Sequence, residues 1–193
     1  MGHDGYNNGF HAQSKSPLFQ IFGAAGVQEK YHAAQTIKML KMHENDFFPR
    51  SLTRHAKRVV HKRILMSILN TDMAQHNDLH VKMEAHLAKM GIENGENSSK
   101  FIDKSSSETQ EESKQLLSSY LLHAADISTS CRKFDTSKIW ADNLFDEFFN
   151  QGDYERSHNM PISFLCDRNS TNIPAGQPFF IETFVMPVFR TLA

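Results

Sequence analysis

Residues 121–128 read LLHAADIS, and the reading of this stretch decides the fold. His123 and Asp126 stand three apart at the C-terminal end of a helical pattern. At that spacing two side chains share one helix face, close enough to serve one site. An imidazole and a carboxylate suit a divalent cation such as Zn, Mg or Mn. The same pair also makes an ordinary N–H···O contact inside a helical bundle, so the motif alone leaves both readings open.

Helical periodicity surrounds it. Upstream, VQEKYHAAQTIKML (27–40) holds good helix formers with no Gly or Pro. From Arg54 to Leu69, Val60, Ile64 and Ile68 recur every four residues beside Leu65 and Leu69, while Lys57, Arg58, Lys62 and Arg63 face solvent. Ser51 and Thr53 are candidate N-caps for this helix. A third helix is expected over 72–90. GIENGENSSKFIDKSSSETQEESK (91–114) is polar, with Ile92, Phe101 and Ile102 its large apolar residues, and reads as a mobile low-complexity insert. Helical pattern resumes over 115–127. It returns over 136–150, where Trp140, Leu144 and Phe148 repeat and Gly152 suits a C-cap. A last helix is expected over 172–192, disturbed by Pro174, Gly176, Pro178 and Pro187. No alternating strand pattern and no internal repeat is present, so the fold class is all-α.

Composition narrows the function. With 193 residues the chain is long enough for one domain with a core. Lys plus Arg is 21 and Asp plus Glu 22, a net charge of −1 that offers no support for a nucleic-acid or acidic-membrane partner. No apolar run reaches the roughly 18 residues of a membrane span, and the first ten residues carry no secretion signal. Tyr6 breaks the myristoylation pattern that an opening Met-Gly suggests. Cys131 and Cys166 are the two cysteines and are expected as reduced thiols, which with the rest points to a cytoplasmic location. Eleven histidines are an ample supply of metal ligands.

LLHAADIS is followed in order by WADNLFDEFFNQGDYER (140–156), ISFLCDR (162–168) and GQPFFIETFVMPVF (176–189); it is preceded by HDGYNNGF (3–10), QEKYHAA (28–34) and ILNTDMAQH (68–76). In that order and spacing the chain resembles the catalytic domain of class I 3′,5′-cyclic-nucleotide phosphodiesterases from Gly2 to Ala193, interrupted mainly by the Ser-rich insert at about 91–114. The resemblance implies a compact multi-helix bundle with a deep pocket, truncated here to part of the domain. It also implies metal-dependent hydrolysis of cAMP, cGMP or both to the 5′-monophosphate, in cyclic-nucleotide signalling.

Residue by residue, the resemblance implies that Asp126 is a direct ligand of the tighter metal in a two-metal site, with Zn and Mg or Mn as the ions. His3, Glu29, Thr71, Asp72 and His123 would orient metal-bound waters and the ligand carboxylate. Taken singly, Glu29 with His32 could be a surface pair, and Thr71 with Asp72 could cap the next helix. Gln177 would hydrogen-bond the purine edge. Phe180 would stack on the ring, Leu144 and Phe148 would close the other side, and Ile127 would line the pocket. For Leu144 and Phe148, plain core packing stands beside the clamp. Thr129 stands where some members carry Asn, so base preference is not legible. The family's general-acid His, two metal-ligand histidines and a bridging aspartate belong upstream of HDGYNNGF. They are therefore expected to be absent, leaving too few ligands for a metal site and little or no activity in this chain. Either a partial gene product or a short non-catalytic nucleotide-binding protein fits that pattern. Unpartnered apolar faces and poor solubility are expected with it.

Overall fold

Each helix of the computed structural model, which describes residues 2–42, 48–49, 51–92, 97–102 and 104–193, starts where the local chemistry permits. Among these residues α1 spans Asn8–Ser14, α2 Pro17–Phe22, α3 Val27–Leu40, α4 Arg54–Leu69, α5 His76–Met90, α6 Ser107–Asp126, α7 Phe134–Ser157, α8 Ile173–Phe180 and α9 Met186–Leu192. No strand occurs among them. The all-α expectation holds, and α3 and α4 have the expected bounds. Thr53, not Ser51, caps α4, its hydroxyl accepting from Ala56 N at 3.2 Å. Asp72 closes a 3-10 turn at Met73–Gln75, so α5 begins at His76 rather than at residue 72. Gly91 ends α5 at φ 64°, a left-handed conformation that glycine adopts without a Cβ clash.

Three expectations need correction. First, the polar stretch 91–114 is not irregular throughout. Residues 98–100 form a 3-10 turn, and α6 begins at Ser107, eight residues before its expected start. Ser106 and Thr109 form a reciprocal capping box, and Glu111 pairs with both Lys114 and Arg63 of α4. Good helix formers with a cap outweigh low hydrophobicity there; residues 93–96 and 103 lie outside the described residues. Second, α7 runs to Ser157, with Gly152 inside it rather than capping it. A Cβ on Gly152 would stand 1.9 Å from the Cys166 carbonyl oxygen, so glycine is required by close backbone approach. Third, residues 172–192 are two helices joined by a π turn at Ile181–Val185. Pro187 has no N–H to continue the α ladder, and the wider turn absorbs it.

The core is built from Leu79 and Met83 of α5, Tyr120 and Ala124 of α6, Ile127, and Val185 and Val188 of the C-terminal helical run. Layered outward, α4 packs on α6, α3 on α4 and α2 on α3. The stripe Val60, Ile64, Ile68 is therefore only half-buried, shared between two neighbours. Helix α7 joins the bundle through the turn Ser128–Cys131 and through Tyr154, whose ring meets Tyr6 and Phe10.

Candidate functional site

His123 and Asp126 meet different neighbours, despite their spacing. His123 is fully buried and shares a 2.8 Å hydrogen bond between its Nε2 and His76 Nδ1, while its own Nδ1 has no hydrogen-bond partner among the described residues. Burial holds its pKa below the usual imidazole value. His76 is held down as well, by burial first and then by His123 and His80. Helix α6 ends just beyond, and Asp126 faces outward from its last turn, still open to solvent. Crowding on one side raises its carboxyl above the ordinary range, against the opposing pull of His32 and then His3. The neighbours of Asp126 are thus two histidines from the start of the chain, whose rings lie 5.9 Å apart.

A buried polar network sets the position of His3. Asn8 donates to Glu29 Oε2 at 2.9 Å and accepts from Gln28 N at 2.9 Å. Gln28 Nε2 donates to Asp4 Oδ1 at 2.6 Å and to the Tyr6 carbonyl, beside buried His11. The segment Gly2–Asn7 is thereby fastened to α3. From the other side Asn7 N donates to Gln151 Oε1, and Gln151 Nε2 to the fully buried Glu155. Glu155 also accepts from Ser163 N and Oγ, both at 2.6 Å, which ties the segment after α7 into the same network. His3 itself is exposed, its Nδ1 accepting from Gly5 N and lying 4.0 Å from Glu147.

Glu29 and Asp72 meet at Gly26, whose φ is 58°. A Cβ there would approach Asp72 Oδ2 to 3.3 Å and Glu29 Oε2 to 3.6 Å. The other Asp72 oxygen caps the 3-10 turn by accepting from Ala74 N, and the Thr71 hydroxyl donates to the Ile68 carbonyl. Asp72 thus caps the following turn, whereas Thr71 bonds back to the end of α4; among the described residues no hydrogen bond engages the second Asp72 oxygen. Among the described residues no three His, Cys, Asp or Glu side chains converge closely enough to hold a metal ion.

Gln177 and Phe180 lie on one face of α8, both half-buried, and Phe180 packs tilted against Phe184. Among the described residues no hydrogen bond engages the Gln177 amide. Leu144 is 46% exposed, so it is not a core residue; Phe148 is half-buried against Phe145. Ile127 is 7% exposed and belongs to the main core. A cavity of about 680 Å³ lies elsewhere, between α4, α5 and α6 and away from Gln177 and Asp126. The sequence marks His32 only as a surface partner of Glu29 and does not mark Gln28, Gln151 or Glu155, although Gln151 and Glu155 lie i,i+4 in the NQGDYER motif.

The sequence and the fold both resemble known proteins. The chain is 30% identical over 194 residues to the dual 3′,5′-cyclic-AMP and -GMP phosphodiesterase beta of Plasmodium falciparum, covering all of this chain and 16% of that protein. It is 33% identical to the dual specificity calcium/calmodulin-dependent 3′,5′-cyclic nucleotide phosphodiesterase 1B of Mus musculus, covering 98% of this chain and 32% of the relative. The solved structure of LmjPDEB1 in complex with IBMX superposes with a TM-score of 0.82 at 27% identity, covering all of this chain and 54% of that one. The phosphodiesterase domain of the Salpingoeca rosetta rhodopsin phosphodiesterase gives 0.81 at 27%, with 55% of its chain covered. This chain thus spans about half the length of those solved chains and less of the full-length relatives. The family model described as 3′5′-cyclic nucleotide phosphodiesterase matches residues 1–193, and the chain belongs to that family.

Proposed function

We propose that the chain is the purine-binding part of a cyclic-nucleotide phosphodiesterase catalytic unit, acting on cAMP, cGMP or both. The family match across its whole length carries the reading. In it Gln177 pairs with the base edge and Phe180 stacks on the ring, with Leu144 and Phe148 opposite. The free Gln177 amide supports this, since an amide already committed within the fold could not read a ligand. A xanthine such as the IBMX held by LmjPDEB1 presents a similar edge.

The family implies two divalent cations, and the residues described here do not fit them. Asp126 offers one carboxylate, His123 is turned to His76, and no third donor converges. No hydrolytic step is therefore assigned to this chain, and His3, Glu29, Thr71 and Asp72 remain candidates for ordering water near Asp126. That mismatch favours, for the chain by itself, nucleotide binding without turnover.

Titration calorimetry of the purified chain with cAMP, cGMP and IBMX tests the reading, alongside turnover assays in Mg, Mn and Zn. The expected result is binding that Gln177→Ala weakens about tenfold, with no turnover. Robust metal-dependent hydrolysis would overturn the non-catalytic assignment. Absence of binding to all three ligands would overturn the purine site.

A further inference from the structure

The whole-chain charge of −1 conceals an uneven distribution. Between Lys38 and Arg63 there are eight Lys or Arg against Glu44 and Asp46, a net of +6, so the remainder carries −7. These residues cover the C-terminal end of α3, the connection and the first ten residues of α4. The connection itself lies partly outside the described residues; the helix ends do not.

Two facts bring the cations together. Helices α3 and α4 pack on each other. The start of α3, at Gly26, lies against Asp72, three residues past the end of α4. The two helices are therefore antiparallel, and the end of α3 lies beside the start of α4. Lys38 and Lys41 thus join Arg54, His55 and Arg58 at one end of the hairpin, all exposed. From there Arg54, Arg58 and Lys62 form one row along α4 at i, i+4 and i+8. None of Lys38, Lys41, Arg54, Arg58 or Lys62 has an ion-pair partner among the described residues.

Helix stability does not explain this placement. Lys38 and Lys41 complement the negative end of α3, but Arg54 and Lys57 stand in the first turn of α4 with Arg58 just after it, where the macrodipole disfavours cations. No acidic residue occupies that turn. The same end exposes Met39 at 45% and Met42 at 44%, interleaved with Lys38 and Lys41. Unpaired cations with unbranched apolar side chains among them match a bilayer surface, where headgroup phosphates meet the cations and methionine reaches the acyl boundary. Duplex nucleic acid would use the charge but not the methionines. The hairpin is about 20 Å long at 1.5 Å per residue, so its basic end faces away from Gly26, Glu29 and Asp72.

We infer that the α3–α4 end bearing Lys38, Lys41, Arg54, Arg58, Lys62 and Met39 is a contact surface for anionic lipid membranes. The inference is independent of nucleotide binding.

Flotation of the purified chain with phosphatidylcholine vesicles, with and without roughly one third phosphatidylserine, tests it at about 0.1 M and about 0.5 M salt. Binding is expected to the anionic vesicles alone, and to be lost at the higher salt. Replacing Arg54, Arg58 and Lys62 together with Gln should weaken partitioning about a hundredfold. Met39→Gln should weaken it less, measured at about 0.1 M salt. Lys15→Gln with Lys133→Gln, exposed cations elsewhere, should leave it unchanged. The salt titration on the unaltered chain decides the matter even if a variant misfolds. No binding to anionic vesicles, binding indifferent to salt or to the triple substitution, or tighter binding to a DNA duplex than to the vesicles would each overturn the assignment.

Discussion

Cys131 and Cys166 have the same chemistry in the sequence and opposite chemistry in the fold. Cys131 is exposed; Cys166 is buried, and burial with the nearby Glu155 charge pushes its thiol up to about 11. Thiolate is the reactive form, so one equivalent of a thiol reagent is expected to react rapidly at neutral pH and the second only on unfolding. Mass spectrometry of alkylated peptides checks the order, and equal labelling would contradict the burial of Cys166. His123 teaches the same lesson. Its spacing from Asp126 is legible, but its direction is not, because His76 competes for it from 47 residues away. His32, by contrast, stands near His3 and Asp126, although its sequence neighbours mark it only as a surface partner of Glu29.

Elements that end or begin through local chemistry were legible, and elements shaped by a distant partner were not. Thr53 and Gly91 signal their boundaries because a cap is made within three residues. Gly152 misled for the opposite reason: a glycine after an apolar run looks like a C-cap, yet here the backbone of Cys166 presses against α7. Gly152→Ala is expected to cost about 3 kcal/mol or more, since the obstacle is backbone and not a movable side chain. Chemical denaturation should show the loss, with helical content before the transition unchanged; a cost under about 1 kcal/mol would mean that the segment 158–172 can move away. The early start of α6 has a similar explanation, as Arg63 of α4 reaches Glu111 and holds the first turns of a helix that its own hydrophobicity would not hold.

At the scale of the molecule the buried imidazoles give the fold a pH limit. His76 and His123 are both held below the ordinary value of 6.5. Below about that pH the unfolded chain takes up protons that the folded chain refuses, so stability falls as pH drops through 6.5 and the effect is absent above it. The melting temperature is therefore expected to be lower at pH 5.5 than at 7.5, and His123→Asn should flatten the slope; a slope that the substitution leaves unchanged would assign it to other groups. Exposed Phe134, Ile139, Trp140, Leu144 and Phe179 give the surface the apolar character expected from the sequence. Family membership, the all-α class, the bounds of α3 and α4 and the shared helix face of Gln177 and Phe180 were all determined by the sequence, because motif order, helical period and capping are set by residues within a few positions of each other. Only the tertiary structure decided that Ile127 is core, that His123 serves His76, that His32 and His3 flank Asp126, and that the cations of α3 and α4 share one end. Each of those depends on which helices pack together and in which direction, and packing partners lie tens of residues apart in the chain.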